Sequence, residues 1–437
     1  MIMKASETDS CPDRPELCMP DKPRSEPFQI SVADDVLDDL SSRLRRARWA
    51  EGLGDDDWYY GVPVAYLHAL VDYWINEFDW RAVETKLNEF AHYRVTIDGD
   101  PVHFMHRGGV GTASKTPIIL NHGWPWTFWD WSKVIHPLAD PLAHGGSTED
   151  VFDVVVPSLP GFGFSTPSSK EGLNFVVMAD MYHTLMTDVL GYGVYAAAGC
   201  DHGVRVAAQL GHKYADEVLG IHLGYDTLLD TFQTERPWDA TAGQLAPSEP
   251  PHVREGVLIS QRTYAVHVAV QMLESQTLAH GLSDSPVGLL AWLLQRWHRW
   301  SDQQADFEAV FPRDHVLTSA TIYWVNNAIA MSMRIYANMA RYPWQPSHDR
   351  TPVVEVPAGF TFMLGDSTNA NSSHRTPEER LERFYSGPGA TKWYNPIFAQ
   401  AVSPGGHFCP WENPNATIHG IRETFRRAKA MRSAANT

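Results

Sequence analysis

Cysteine is scarce in this 437-residue chain: there are four, with Cys11 and Cys18 in a polar leader and Cys200 and Cys409 in apolar-flanked segments. That distribution gives neither a disulfide framework nor a CxxC metal pattern, and a reducing compartment is the expected setting. Long apolar runs are missing as well. No segment approaches the ~18 residues needed to span a bilayer, and Met1 to Pro27 is rich in proline, serine and charge where a signal sequence would be apolar. The expectation is a cytoplasmic protein without an integral membrane anchor. Basic charge is short: 35 Lys and Arg stand against 52 Asp and Glu, a formal net charge of -17. Such a field repels phosphate backbones and anionic lipid, so nucleic acid is not an expected partner. Neither a metal-ligand spacing nor a glycine-rich phosphate loop occurs, so no metal and no cofactor are expected. No internal repeat is found.

What is present, 43% hydrophobic residues over this length, is enough for one large domain with additions. Residues 1–25 lack apolar periodicity and read as a flexible tail. Residues 26–112 read as a helical meander and a first hairpin. Phe28, Ile30 and Val32 alternate, after which Val36, Leu37, Leu40 and Leu44 fall at helical spacing, with Asp34 and Asp35 in the first turn and Arg45, Arg46 and Arg48 in the last. Helices follow at Val64 to Phe78 and Asp79 to Phe90, then a hairpin of Tyr93 to Ile97 and Val102 to His106 around Asp98-Gly99-Asp100.

Residues 113–226 alternate apolar strands (117–120, 151–157, 194–198, 218–223) with helical stretches (128–138, 175–190, 204–214), the rhythm of a parallel sheet with crossover helices. Residues 227–345 are almost wholly helical in pattern and read as a lid insertion. The sheet resumes in 346–437, with strands at 353–362 and 399–402 and a last helix from about 417 to 429.

Gly199-Cys200-Asp201-His202-Gly203 joins the apolar Tyr195-Ala196-Ala197-Ala198 to a helix starting at Val204, the pattern of a nucleophile elbow with Asp in place of Ser. Such a turn strains the backbone of its tip residue and needs small neighbours. A carboxylate with a reference pKa of ~3.9 is ionised at neutral pH and attacks a saturated carbon without a base. Epoxides and alkyl halides suit it. The ester so formed requires a histidine-activated water and an oxyanion hole for release.

His122-Gly123-Trp124-Pro125 follows the strand ending at Leu120, so its amides fall beside that turn; Trp124 and His202 are the expected oxyanion donors, with Trp124-Pro125 a candidate cis peptide. His407, in Gly405-Gly406-His407-Phe408, is the expected base. Asp366, after the strand-like Phe360 to Leu364, is the first choice of acid, with Asp226 and then Glu355 as competitors.

These segments together resemble the microsomal-type epoxide hydrolases, including the juvenile-hormone enzymes and bacterial relatives, from about Pro27 to Arg426. The resemblance rests on Pro27 to Val32 with Leu40, Arg43, Leu44 and Trp49, on His122 to Pro125, Pro160-Gly161-Phe162-Gly163-Phe164-Ser165, Asp284 to Leu289 and Gly405 to Phe408. It implies the α/β-hydrolase fold, a mostly parallel sheet flanked by helices with a helical lid and an N-terminal meander. It also implies Asp201, Asp366 and His407 as nucleophile, acid and base. Of the family's two lid tyrosines, one position falls on Tyr336, with Tyr323 a poorer fit. The other holds His267, one helical turn after Tyr264, and either residue could supply the second proton donor.

The implied partner is a small-molecule epoxide, apolar or aromatic, with Trp124, Pro125, Trp324 and Phe408 as expected binding residues. The alternatives are a dehalogenase using the same Asp, for which the lid tryptophans Trp292, Trp297, Trp300 and Trp324 would be halide donors, and a silent binding protein or one directing ring closure. A homodimer stays open.

Overall fold

Asp98 and Gly99 both take left-handed backbone, φ 49 and 86, the two-residue turn that matches the twist of paired strands. They join β2 (His92–Ile97) to β3 (Asp100–Arg107), with Ile97 opposite Asp100. The computed structural model describes residues 23–54, 56–239, 251, 255, 258, 261–368 and 376–435. Most of the expected tail, with Cys11 and Cys18, lies outside these, as does part of the expected lid. β1 (Glu26–Phe28) pairs with β2.

The other strands are β4 (Thr116–Asn121), β5 (Phe152–Pro157), β6 (Tyr195–Gly199), β7 (Val218–Leu223), β8 (Val354–Met363) and β9 (Tyr394–Val402). They form one sheet in the order β1-β2-β3-β5-β4-β6-β7-β8-β9. Pairs among β1, β2, β3 and β5 are antiparallel, and all from β5 to β9 are parallel. The fold is the α/β-hydrolase fold expected from the sequence.

Helices α1 (Asp34–Arg45), α2 (Val64–Asn76) and α3 (Trp80–Leu87) form the meander; the Asp79 side chain caps α3 by accepting from the Arg81 and Ala82 amides. The core carries α4 (Ser132–Ala139), α5 (Phe175–Thr184) and α6 (His202–Lys213). Successive β7 residues separate the two faces of the sheet. Ile221 lies beneath Gly211 of α6, whereas Gly220 faces Ala428 of the last helix, so these helices cover opposite sides.

The lid holds α7 (Val266–Asp284), broken at Glu274, α8 (Pro286–Trp300), α9 (Arg313–Val325) and α10 (Ile329–Arg341). After it come α11 (Pro377–Ser386) and α12 (Pro414–Ala435). Among the described residues no helix is long and apolar enough to cross a membrane.

Four expectations need correction. Residues 227–239, expected within a helical lid, form turns and bends; just before them Tyr225 is held by its own hydroxyl on the Asp201 carbonyl. Residues 128–138 open with a 3-10 turn at Phe128–Trp131, because Thr127 and Asp130 cap one another. The 175–190 helix widens into a π turn at Leu185–Val189. Helix α11 had not been expected at all.

The sheet order sets the site. The chain runs from β4 to β5 on one side and on to β6 on the other, so the carboxyl ends of β4 and β6 flank a topological switch point. Their last pair is Asn121 opposite Gly199. The loops beginning at His122 and Cys200 therefore rise side by side.

Candidate active site

Asp201 stands at the tip of the β6–α6 turn with φ 51 and ψ -124, backbone that side chains other than glycine rarely adopt. Packing enforces it. A methyl group on Gly203 would come within 2.1 Å of the Asn121 carbonyl oxygen, one on Gly199 within 2.1 Å of the Gly203 oxygen, and one on Gly123 within 2.2 Å of the Asp201 Cβ. Substituting Gly203→Ala is thus expected to cost about 3 kcal/mol of stability and most of the activity, read by thermal unfolding and turnover of the same sample. A variant as stable as the parent would contradict this packing.

The Asp201 carboxylate is buried, 1% exposed. Its Oδ1 accepts the Trp124 amide at 2.7 Å and its Oδ2 lies 3.1 Å from His407 Nε2. Burial alone would raise this carboxyl. The His202 ring, the His407 pair and the Trp124 amide outweigh it, leaving the group below the usual carboxylate range. Trp124-Pro125 is cis. Among the described residues no hydrogen bond runs from the His202 amide to the carboxylate; the His202 ring packs edge-on against Tyr336, centroids 4.5 Å apart.

His407 sits between two carboxylates. Its Nδ1 lies 3.4 Å from Asp366 Oδ2 and 3.1 Å from Thr368 Oγ1, and the Thr368 amide and hydroxyl both donate to Asp366 Oδ1. Burial opposes the charged imidazolium, but Asp366 and Asp201 together push His407 up to about 10. The resting arrangement is a carboxylate–imidazolium–carboxylate row.

The histidine loop is anchored by Glu412, whose Oε2 accepts the Gly406 and Asp302 amides and whose Oε1 accepts that of Phe408. Burial raises Glu412 to about 7 against the pull of those amides. Beneath the site Cys200 and Cys409 bring their Sγ atoms to 2.7 Å.

From the lid, Tyr336 places its hydroxyl 3.1 Å from His267 Nε2, and His267 Nδ1 lies 2.5 Å from the Tyr264 carbonyl oxygen. A carbonyl only accepts, so Nδ1 carries the proton. Burial keeps the ring neutral by driving its pKa well below the usual value, which leaves Nε2 bare to accept from Tyr336. His267 is therefore an acceptor in this arrangement, not a second donor. Burial holds Tyr336 and Tyr264 as phenols, with the Asp201 charge adding to the effect at both. Trp124, Trp300 and His267 complete an aromatic wall, with Trp300 5.2 Å from His407 and 4.7 Å from His267.

Other sequence candidates lie elsewhere. Asp226 is taken by Arg380 at 2.6 Å and Glu355 by Arg350 at 2.6 Å. Tyr323 donates to the Trp126 carbonyl, and Trp324 lies under Arg43 of α1, 5.7 Å from its guanidinium. Phe408, by contrast, stays at the site, packing on Trp126 at 5.1 Å and edge-on against His407 at 5.5 Å between centroids. Unforeseen neighbours are Thr368, Glu412 and a pair beneath the elbow, Arg205 donating to the Tyr225 hydroxyl at 3.4 Å. No group of three or more metal-ligating side chains occurs among the described residues.

The family model for the alpha/beta hydrolase fold matches residues 116–364, and that for the epoxide hydrolase N terminus matches 25–131. Epoxide hydrolase 1 of Sus scrofa is 30% identical over 91% of this chain and 87% of its own length. The chain belongs to the epoxide hydrolase family. Another relative, provisionally named an epoxide hydrolase in Stigmatella aurantiaca (strain DW4/3-1), is 34% identical over 92% of this chain and 85% of its own. Among solved structures, the Aspergillus niger epoxide hydrolase superposes with a TM-score of 0.73 at 25% identity, covering 92% of this chain and 96% of that one. In this epoxide hydrolase the matched N-terminal segment includes the meander, which packs against the lid with Arg43 on Asp284 at 2.6 Å.

Proposed function

We propose that Asp201 opens the epoxide by forming a covalent ester and that His407 then directs water to that ester. The carrying observation is the buried Asp201 carboxylate held between the Trp124 amide and His407. One carboxylate oxygen bonds to an epoxide carbon as the ring C–O bond breaks, and Tyr336 and Tyr264 donate to the oxygen that leaves. His407, oriented by Asp366, first gives up the proton it carries at rest, replacing the one passed from the tyrosines to the ring oxygen. As a neutral base it then takes a proton from water, and the hydroxide adds to Asp201 Cγ. The ester C–O bond breaks as that proton passes to the leaving diol oxygen, and the new Asp201 carboxyl returns a proton to His407. The Trp124 amide, with that of His202, holds the oxyanion until the diol departs.

Charge times these two halves. Esterification removes the negative charge of Asp201, one of the two carboxylates that sustain the His407 proton. His407 therefore becomes easier to deprotonate at the stage where a base is required.

The aromatic wall supports an apolar or aromatic epoxide as substrate. Incubation with styrene-oxide-type and aliphatic epoxides is expected to yield vicinal diols, with no halide released from matched haloalkanes. Tyr336→Phe and Tyr264→Phe should each lower kcat/KM by ~10²-fold or more, and His267→Phe by less, since His267 orients Tyr336. Halide release, or a His267→Phe loss exceeding both, would count against these assignments.

A further inference from the structure

Between the meander and the lid lies a cavity of about 580 Å³, separate from the residues assigned above. Arg48, Arg296 and Arg299 reach it together with Trp49, Trp292 and Gln295, and among the described residues no Asp or Glu lines it. That is a concentration of positive charge in a protein whose acidic residues outnumber the basic ones, 52 to 35.

Arg296 is the distinctive member. It is 7% exposed, its Nη1 donates to the Trp292 carbonyl at 3.1 Å, and its guanidinium lies 3.6 Å from the Trp292 ring centroid. Among the described residues no carboxylate pairs with it. Two other arginines show the usual arrangement, Arg380 holding Asp226 at 2.6 Å and Arg426 holding Asp150 at 2.9 Å, whereas the buried Arg205 lies on the Tyr225 hydroxyl. Burial, then the neighbouring charge of Arg299, pushes Arg296 down to about 9, the response of a buried cation that lacks a counter-charge. Next to it, both amide atoms of Gln295 are buried and, among the described residues, find no hydrogen-bond partner. Unmet polar groups of this kind are rare in folded proteins.

A planar guanidinium offers parallel N–H donors that match the two oxygens of a carboxylate, and an adjacent amide N–H adds a third. The indoles of Trp49 and Trp292 and the side chains of Leu67 and Val287 supply an apolar surface beside them. Inorganic phosphate would leave that surface bare.

We infer that this cavity is a binding site for an organic carboxylate with an apolar or aromatic body, gripped by Arg296 and Gln295. The site adjoins the catalytic chamber: Val266 on its wall precedes His267, and Arg299 precedes Trp300, which packs on His407.

The test compares an acid with its neutral ester in the whole protein. By titration calorimetry, decanoate should bind at least ~10-fold more tightly than methyl decanoate, and Arg296→Met should remove that preference. The ratio is the readout because a general packing defect would weaken both ligands alike. Equal affinity of the wild type for acid and ester overturns the inference, and so does a ratio unchanged in Arg296→Met. Should Arg296→Met not fold, Gln295→Leu, which keeps the cation, takes its place and should shrink the ratio; a ratio left intact in Gln295→Leu overturns the inference in the same way.

A second arm uses a long-chain epoxy acid and its methyl ester as substrates. A lower KM for the acid, with decanoate competing, assigns the carboxylate to the substrate; decanoate that binds without competing assigns it to a separate ligand, and either result supports the site. Turnover of styrene oxide reports the proposed function independently, so loss of that activity strikes the mechanism and not this cavity.

Discussion

Replacing Asp201 with Asn is expected to lower kcat for epoxide opening by at least ~10⁴-fold, to the level left by binding and the remaining donors. The amide keeps the size of the carboxylate but is neutral and a poor nucleophile, so the bond to the epoxide carbon cannot form. The same substitution should leave a physical signature at His407. Two carboxylates favour its charged form and push it up to about 10. Removing one favours the neutral form, so the pKa must fall. Histidine ring NMR at pH 8 should therefore show His407 charged in the wild type and shifted toward neutral in Asp201→Asn. An unchanged His407 titration would mean that the 3.1 Å contact contributes little to the charge at the site.

His407→Gln is the second large effect, and it separates the two halves of the reaction. Asp201 keeps its charge and the Trp124 amide, so ring opening persists, whereas no base remains to activate water. About one equivalent of epoxide should be consumed in a burst, after which turnover falls by ~10³-fold or more. Intact-mass spectrometry should then show the protein heavier by the mass of one epoxide, with the modification mapped to Asp201. A variant that neither turns over nor accumulates an adduct would indicate that His407 is needed before the ester exists.

Much of the fold was legible because its signals are local and redundant. The run of apolar strands, each ending in a glycine-rich loop, announces a parallel sheet, and Gly199 to Gly203 marks a turn whose glycine positions cannot hold larger residues. The positions of Trp124, Asp201 and His407 follow from the strand ends that carry them. Asp366 could be ranked first from chain order, but its advantage over Asp226 rests on Arg380, a partner distant in sequence.

What stayed hidden depends on tertiary contacts. The role of His267 turns on which ring nitrogen faces the Tyr264 carbonyl, and no periodicity encodes that. Trp324 was one of several lid tryptophans; helical spacing implies that such a ring packs, not what it packs against, and here it meets α1. Glu412 and Arg205 look like ordinary helix residues until their partners are seen. Helix α11 is different, since Thr376 and Glu379 form a capping box readable as a helix start.

The central claim is that the oxygen added to the substrate comes from a side chain of the protein. A single-turnover reaction in ¹⁸O-water, with enzyme in excess over epoxide, measures this directly. The first diol should be unlabelled and the label should appear on the Asp201 carboxylate. Label in that first diol, with none on Asp201, would show water attacking the epoxide itself and would contradict the account.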